Sequence, residues 1–301
     1  MRPDGILPQA PTALLHSPLI RLTDDKVCVA SPWRAMAYLR TGIWTAFMRG
    51  TKKVLGDQAS SAWTSGFGYM FEEYLRSIAK RAIGDQPERL RLPTHPGSLD
   101  EIEDVVVVEN GTAILFSAKA RLVEEPVARH AKSVRMVMDW YEKYFFAEES
   151  GEFRCGAARQ FDARISRIRA GLFPGFPCDL HIVPVLVTYD ALCEETLLYE
   201  WFEQRCKHHG LLQHANIAPF VIANVEDFER LMARAKRGGS LAAFFAERAR
   251  RWKTRKLQTQ LRSSALGDRD RLPFMDDIFK EMMASAETLL MENREIHVIA
   301  D

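Results

Sequence analysis

Asp104 and Lys119 are the residues whose types and spacing could carry chemistry. Asp104 is followed by four valines, Asn110-Gly111 and a second apolar run that ends in Ser117-Ala118-Lys119. Asn-Gly between two β-prone runs predicts a hairpin, because a type I′ turn needs positive φ at both central residues. An antiparallel pair brings the residue just before the first run beside the end of the second. An isolated acid and an isolated lysine then share the rim of an apolar sheet, a pairing suited to a metal ion and a phosphate.

The composition narrows the classes open to the chain. Its 301 residues can bury a full core and suit one large or two modest domains. With 27% charged residues and a net charge of +1, there is no global attraction for a polyanion, so any nucleic-acid contact must be local. Five scattered cysteines, an odd number with no C-x-x-C, suggest buried thiols in a reduced compartment. No apolar run has the length of a signal peptide or a membrane span, so the expectation is a cytoplasmic protein with no membrane partner.

The elements that must position the pair follow from periodicity. Strands are expected at 19–22 and 27–29, then a helix from Ser31-Pro32 to about Met48, with 49–65 as a polar loop. A second helix is expected from about Gly66 to Ile83, with Phe67, Met70, Phe71, Tyr74, Leu75 and Ile78 on its apolar face. After the hairpin come helical patterns at about 127–146 and 153–170. The almost wholly apolar runs Ile182 to Thr188 and Ile217 to Ala223 read as strands buried on both faces. They alternate with helices at about 194–208, 225–236 and 240–256, which argues for an α/β sheet with parallel pairing. Residues 265–272 read as a linker and 273–292 as an amphipathic helix.

A helix with Gly68-Tyr69-Met70-Phe71-Glu72-Glu73-Tyr74, a strand led by Glu103-Asp104, a turn, and a strand ending in Ser117-Ala118-Lys119 together resemble the PD-(D/E)XK nuclease superfamily. The resemblance covers about residues 66–225, and its specific parts are the hairpin and the glutamate helix. It implies an α/β fold with a restriction-endonuclease-like mixed central sheet flanked by helices, with N-terminal and C-terminal helical extensions. The implied division is an N-terminal extension (1–65), a nuclease-like domain (66–256), and a C-terminal linker and helix (265–301).

The resemblance also implies roles. Asp104 would be the main ligand of Mg²⁺ or Mn²⁺, and Glu72 the helix ligand, with Glu73 the neighbouring alternative. Lys119 would position the attacking water or the phosphate. The chemistry suits the residue types: Mg²⁺ takes oxygen ligands, keeps several waters, and lowers the pKa of a bound water. The pattern departs at Ser117, which stands where a second carboxylate belongs. Three readings follow. The missing acid comes from elsewhere, with Glu124, Glu125 or Asp139 as candidates; or Glu72 and Asp104 hold one ion alone; or the site is silent and the fold serves binding. The implied activity is metal-dependent hydrolysis of phosphodiester bonds, of DNA rather than RNA, in bacterial defence against foreign DNA. The alternative is an inactive nuclease fold that binds nucleic acid or a protein partner, the latter through the 273–292 helix.

Other residues carry weaker signals. Gln160 lies on the helix after the lysine strand, where relatives of this fold pack a glutamine against the site. Arg159, Arg164 and Arg167 on the same helix could meet a phosphate backbone. Arg248, Arg250, Arg251, Lys253, Arg255 and Lys256 surround Trp252, but at helical spacing such a run is a solvated face. Cys206, His208, His209 and His214 lack a zinc-finger spacing. Gly238-Gly239 is not followed by G-K-[ST], and no G-x-S-x-G is present, so neither a nucleotide cofactor nor a serine hydrolase is indicated.

Overall fold

The computed structural model describes residues 19–21, 27–29, 43–93, 102–120, 134–148, 156–189, 196–252 and 257–263. The chain divides into two compact units, Met1–Tyr69 and Met70–Asp301. In the first, β1 (Leu19–Arg21) and β2 (Val27–Val29) pair antiparallel, with Leu19 opposite Val29. Helix α1 (Ile43–Ile83) begins in that unit, and its last turns belong to the second.

The second unit is an α/β protein built on a five-stranded mixed open sheet. Its strands are β3 (Leu90–Arg91), β4 (Val105–Glu109), β5 (Thr112–Lys119), β6 (His181–Thr188) and β7 (Val221–Asn224), in that spatial order. The pairs β3–β4 and β4–β5 are antiparallel, whereas β5–β6 and β6–β7 are parallel. The β4–β5 turn is the expected one: Asn110 and Gly111 have φ of 48° and 73°, and Glu109 faces Thr112 across a two-residue loop.

Parallel neighbours need crossovers, and helices supply them. Helices α2 (Val134–Phe146) and α3 (Ala157–Arg169) join β5 to β6, and α4 (Thr196–His209) joins β6 to β7. All three cover one sheet face, packing Phe145, Phe161, Ile165 and Phe202 on Val106, Leu115, Leu186 and Ile222. Two successive crossovers of the same hand require that arrangement. The last turns of α1, with α5 (Val225–Lys236), α6 (Leu241–Glu247) and α7 (Leu257–Ser263), cover the other face. There Leu75, Ile78, Phe228 and Phe245 meet Val105, Ile114, Phe116 and Val185. Burial on both sides is why β4, β5 and β6 read as continuous apolar runs. Asn224 ends β7 and caps α5, accepting a hydrogen bond from Asp227 N at 2.9 Å while the Asp227 carboxylate accepts from Asn224 N.

Three expectations differ from the structure. Residues 49–65 are helical, part of α1, with the helix broken in geometry at Gly56 (φ 86°). Lys52, Lys53, Val54, Asp57 and Gln58 are all exposed, so no apolar stripe announced the helix. The helix expected over 240–256 is α only to Glu247, then turns as a π-helix over Arg248–Trp252. A further helix, α7, follows where none was expected. Residues 31–42, the 265–272 linker and the 273–292 helix lie outside the described residues. No described helix is long and apolar enough to cross a membrane.

Candidate functional site

Strand direction decides where the chemistry collects. Strands β5, β6 and β7 all end at one edge of the sheet, with Lys119 paired to Thr188 and Thr188 to Asn224. Because β4 runs the opposite way, its start lies at that same edge, Val105 facing Phe116. Open α/β sheets place ligands outside the carboxyl ends of their strands.

Asp104 sits there, buried and fully engaged. Its Oδ2 accepts a hydrogen bond from Ala118 N at 2.7 Å, and its Oδ1 one from Arg76 Nη2 at 3.2 Å. Arg76 Nε also donates to the Asp104 carbonyl at 3.4 Å. Arg76 projects from α1 one turn after Glu72, whose Oε2 lies 3.5 Å from Nη2, and three residues after Glu73, whose Oε2 lies 3.7 Å from Nη1. Glu72 is the more enclosed of the two glutamates, its side chain 25% exposed against 75% for Glu73. Thus α1 reaches Asp104 through an arginine: Glu72, Arg76 and Asp104 form a carboxylate–guanidinium–carboxylate series.

Glu103 is the other acid at this edge, and it is buried. Burial pushes its carboxyl from an ordinary 4.5 up to about 7, and the charge of Asp104 pushes the same way. Lys119 and Arg164 oppose the shift by their positive charge, as does a hydrogen bond from the Ser117 side chain. Glu103, Asp104, Ser117, Lys119 and Arg164 therefore share one electrostatic neighbourhood, with β4, β5 and α3 each contributing.

The remaining candidates divide. Asp139 is exposed on α2, its Oδ2 3.9 Å from Arg135 Nε. Gln160 is half-buried on α3. Arg159 ties the ends of α2 and α3 together, donating to the Phe146 carbonyl at 2.8 Å and pairing with Glu148 at 2.9 Å. Arg167 lies over the Phe173 ring, 4.7 Å from its centroid. Of the three arginines expected at nucleic acid, Arg164 is the one beside the acids. Glu124 and Glu125 lie outside the described residues.

Histidines and cysteine do not converge. His209 pairs with Glu142 at 3.0 Å and His214 with Asp162 at 3.1 Å, while Cys206 is buried, its thiol pushed up to about 12 by desolvation. Nor is the basic run uniformly solvated. Arg248 is 2% exposed, its guanidinium 5.5 Å from the centroid of Tyr199, while Arg250 and Arg251 are exposed.

Two residues of the site were given no role by sequence reasoning: Glu103, quoted only as part of the strand motif beside Asp104, and Arg76. The signals were two consecutive acids ahead of an apolar strand and a cation at i+4 from the helix glutamate.

The donor set can be weighed against a divalent ion. Among the described residues no three His, Cys, Asp or Glu side chains gather as metal ligands. An ion there would take one or two carboxylates, which is the number Mg²⁺ accepts when waters and substrate oxygens complete its shell. Asp104 has the right chemistry, oriented by Arg76 and by the Ala118 amide. Glu72 turns its carboxylate to Arg76, whose guanidinium stands between it and Asp104. Compared with family models, with curated proteins and with solved structures, the chain has no match.

Proposed function

We propose that this protein is a metal-dependent nuclease with a restriction-endonuclease-like core, hydrolysing phosphodiester bonds of DNA at the edge where Asp104 and Lys119 meet. The observation that carries the reading is that Asp104, bonded to Ala118 N, and the Ser117–Lys119 end of β5 share one sheet edge, where Lys119 and Arg164 also act on the neighbouring Glu103. A glutamate helix, a meander of three strands and a parallel fourth strand suit such a core. Asp104 would hold Mg²⁺, which when bound supplies an acidified water and charge for the phosphate oxygens. Lys119 and Arg164 would bind the phosphate diester and offset the charge growing on its oxygens in the pentavalent state. Ala118 N–H and Arg76 hold the Asp104 carboxylate in place through two hydrogen bonds.

A second reading, a silent nuclease fold that binds nucleic acid, is favoured by one observation. Arg76 already gives Asp104 a cationic partner, and Ser117 brings no charge. Purified protein incubated with plasmid and with single-stranded DNA in Mg²⁺ or Mn²⁺ separates the two. The hydrolase reading expects cutting that Lys119→Ala and Asp104→Asn each lower about 100-fold or more. Cutting unchanged in both variants sinks it. Binding that depends on Lys119 and Arg164, with no cutting by wild type, selects the second reading.

A further inference from the structure

We infer that the DNA taken at this edge is single-stranded, with an unpaired base stacked on Tyr189 while a neighbouring phosphate lies against Lys119 and Arg164. This rests on the reading above of the edge as a nucleic-acid site and adds the strandedness of its substrate.

Strand alternation divides the edge into two sides. Along β6, Val183, Val185 and Val187 face α1 and α5, whereas Leu186 faces α2, α3 and α4. Tyr189, next in the series, packs on the first side. On β5, Phe116 and Ala118 face that same side, so Lys119 takes the other, where α3 brings Arg164. The backbones meet between them. Tyr189 N donates to the Lys119 carbonyl at 3.3 Å, while Ala118 N donates to Asp104. The Ala118–Lys119 step thus has Asp104 on one flank and Tyr189 on the other, about 10 Å apart by two strand spacings. One side of the edge is cationic and the other aromatic.

The aromatic side has a firm backing. Phe71, 4% exposed, meets the Tyr189 ring at 5.8 Å between centroids with the planes at 89°, an edge-to-face contact that sets the ring's tilt. Tyr189 itself is half-buried, as are Ala120 and Val225 at the ends of the neighbouring strands. Phe71 lies five residues before Arg76 on α1, so the helix that holds Asp104 also backs the ring.

Charge disfavours a duplex here. Glu72, Glu73 and Asp104 all lie on Arg76, and Glu103 is buried within the fields of Lys119 and Arg164. Carboxylates therefore match the cations, and a net charge of +1 offers no broad attraction for two phosphate backbones. A single strand brings half that charge, and its open bases let stacking add affinity that salt does not screen. In a duplex the base faces are closed within the stack.

The test is fluorescence anisotropy of a labelled single strand and of its duplex, titrated with the whole chain in Ca²⁺. Wild type should bind the single strand at least about tenfold more tightly. Tyr189→Leu, which fills the space beside Phe71 without a stacking ring, should bind it at least about fivefold more weakly, the least that one stacked base contributes. Tyr189→Phe should stay within about threefold of wild type. The salt slope should be unchanged in Tyr189→Leu and lower by about 0.7 in Lys119→Ala. Fluorescent base analogues in the strand should be quenched by wild type and by Tyr189→Phe, but not by Tyr189→Leu. A smaller preference for the single strand, a smaller loss in Tyr189→Leu, or an equal loss in Tyr189→Phe overturns the inference. Should Tyr189→Leu fail to fold, photocrosslinking of wild type to a strand of halogenated deoxyuridine decides. A crosslink at Tyr189 supports the assignment, and crosslinks confined to other residues remove it. DNA cutting lowered in Lys119→Ala but unchanged in Tyr189→Leu removes the stacking role and leaves the hydrolase reading standing. Stacking on Tyr189 without cutting keeps the inference and removes hydrolysis. No binding of either DNA removes both.

Discussion

Replacing Glu103 by glutamine should make the protein more stable at pH 8 and nearly unchanged at pH 4.5. The sign follows from proton binding. Glu103 holds its proton up to about pH 7 in the folded chain, whereas in the unfolded chain it ionises near 4.5. Between those values the unfolded state has lost a proton that the folded state retains, so stability falls as pH rises. Above about 7 both states are ionised and the full penalty applies. A displacement from 4.5 to about 7 corresponds to about 3 kcal/mol at 1.36 kcal/mol per pH unit. Glutamine has no charge to bury and still accepts the Ser117 hydrogen bond, so the variant escapes that penalty. Urea denaturation of both proteins in chelator at pH 4.5, 6 and 8 reads the difference. It should grow from about zero to about 3 kcal/mol, which for a unit of this size is roughly 6–12 °C in Tm. Equal pH dependence in the two proteins, or a variant weaker at pH 8, would refute this electrostatic picture of the site.

Three more outcomes follow from named contacts. Arg76→Met leaves Asp104 buried without its guanidinium and should cost about 3–5 kcal/mol in urea melts, part of it regained in Arg76→Met/Asp104→Asn. Gly156→Ala would bring a methyl to 2.5 Å from the Phe145 carbonyl at the α2–α3 junction, so a loss of about 2 kcal/mol or more is expected in the same measurement. Arg164→Ala should weaken DNA binding and lower the salt slope by about 1, whereas Arg167→Ala, taken from a side chain stacked on Phe173, should leave the slope unchanged.

Much of the sheet is written in the sequence, because each signal has a local cause. Asn110-Gly111 fixes the hairpin and hence the meeting of Asp104 with the Ser117–Lys119 segment. The apolar run at 182–188 marks a strand covered on both faces. The losses have local causes too. Residues 49–65 form helix without an apolar stripe, so periodicity had nothing to report. Arg248 was counted among solvated cations because composition does not reveal that the helix changes to π geometry there. Glu103 and Arg76 were passed over for a related reason. Glu103 and Asp104 both precede β4, and only tertiary packing brings Arg164 from α3 near Glu103 and Arg76 from α1 to Asp104. The S-x-K departure at Ser117 is visible in the sequence itself.

The most direct trial of the account is a crystal structure of the protein with a DNA oligonucleotide and Ca²⁺. Backbone phosphate should lie against Lys119 and Arg164, with the ion coordinated by Asp104. DNA seated on another face, or an ion held away from Asp104, would contradict it.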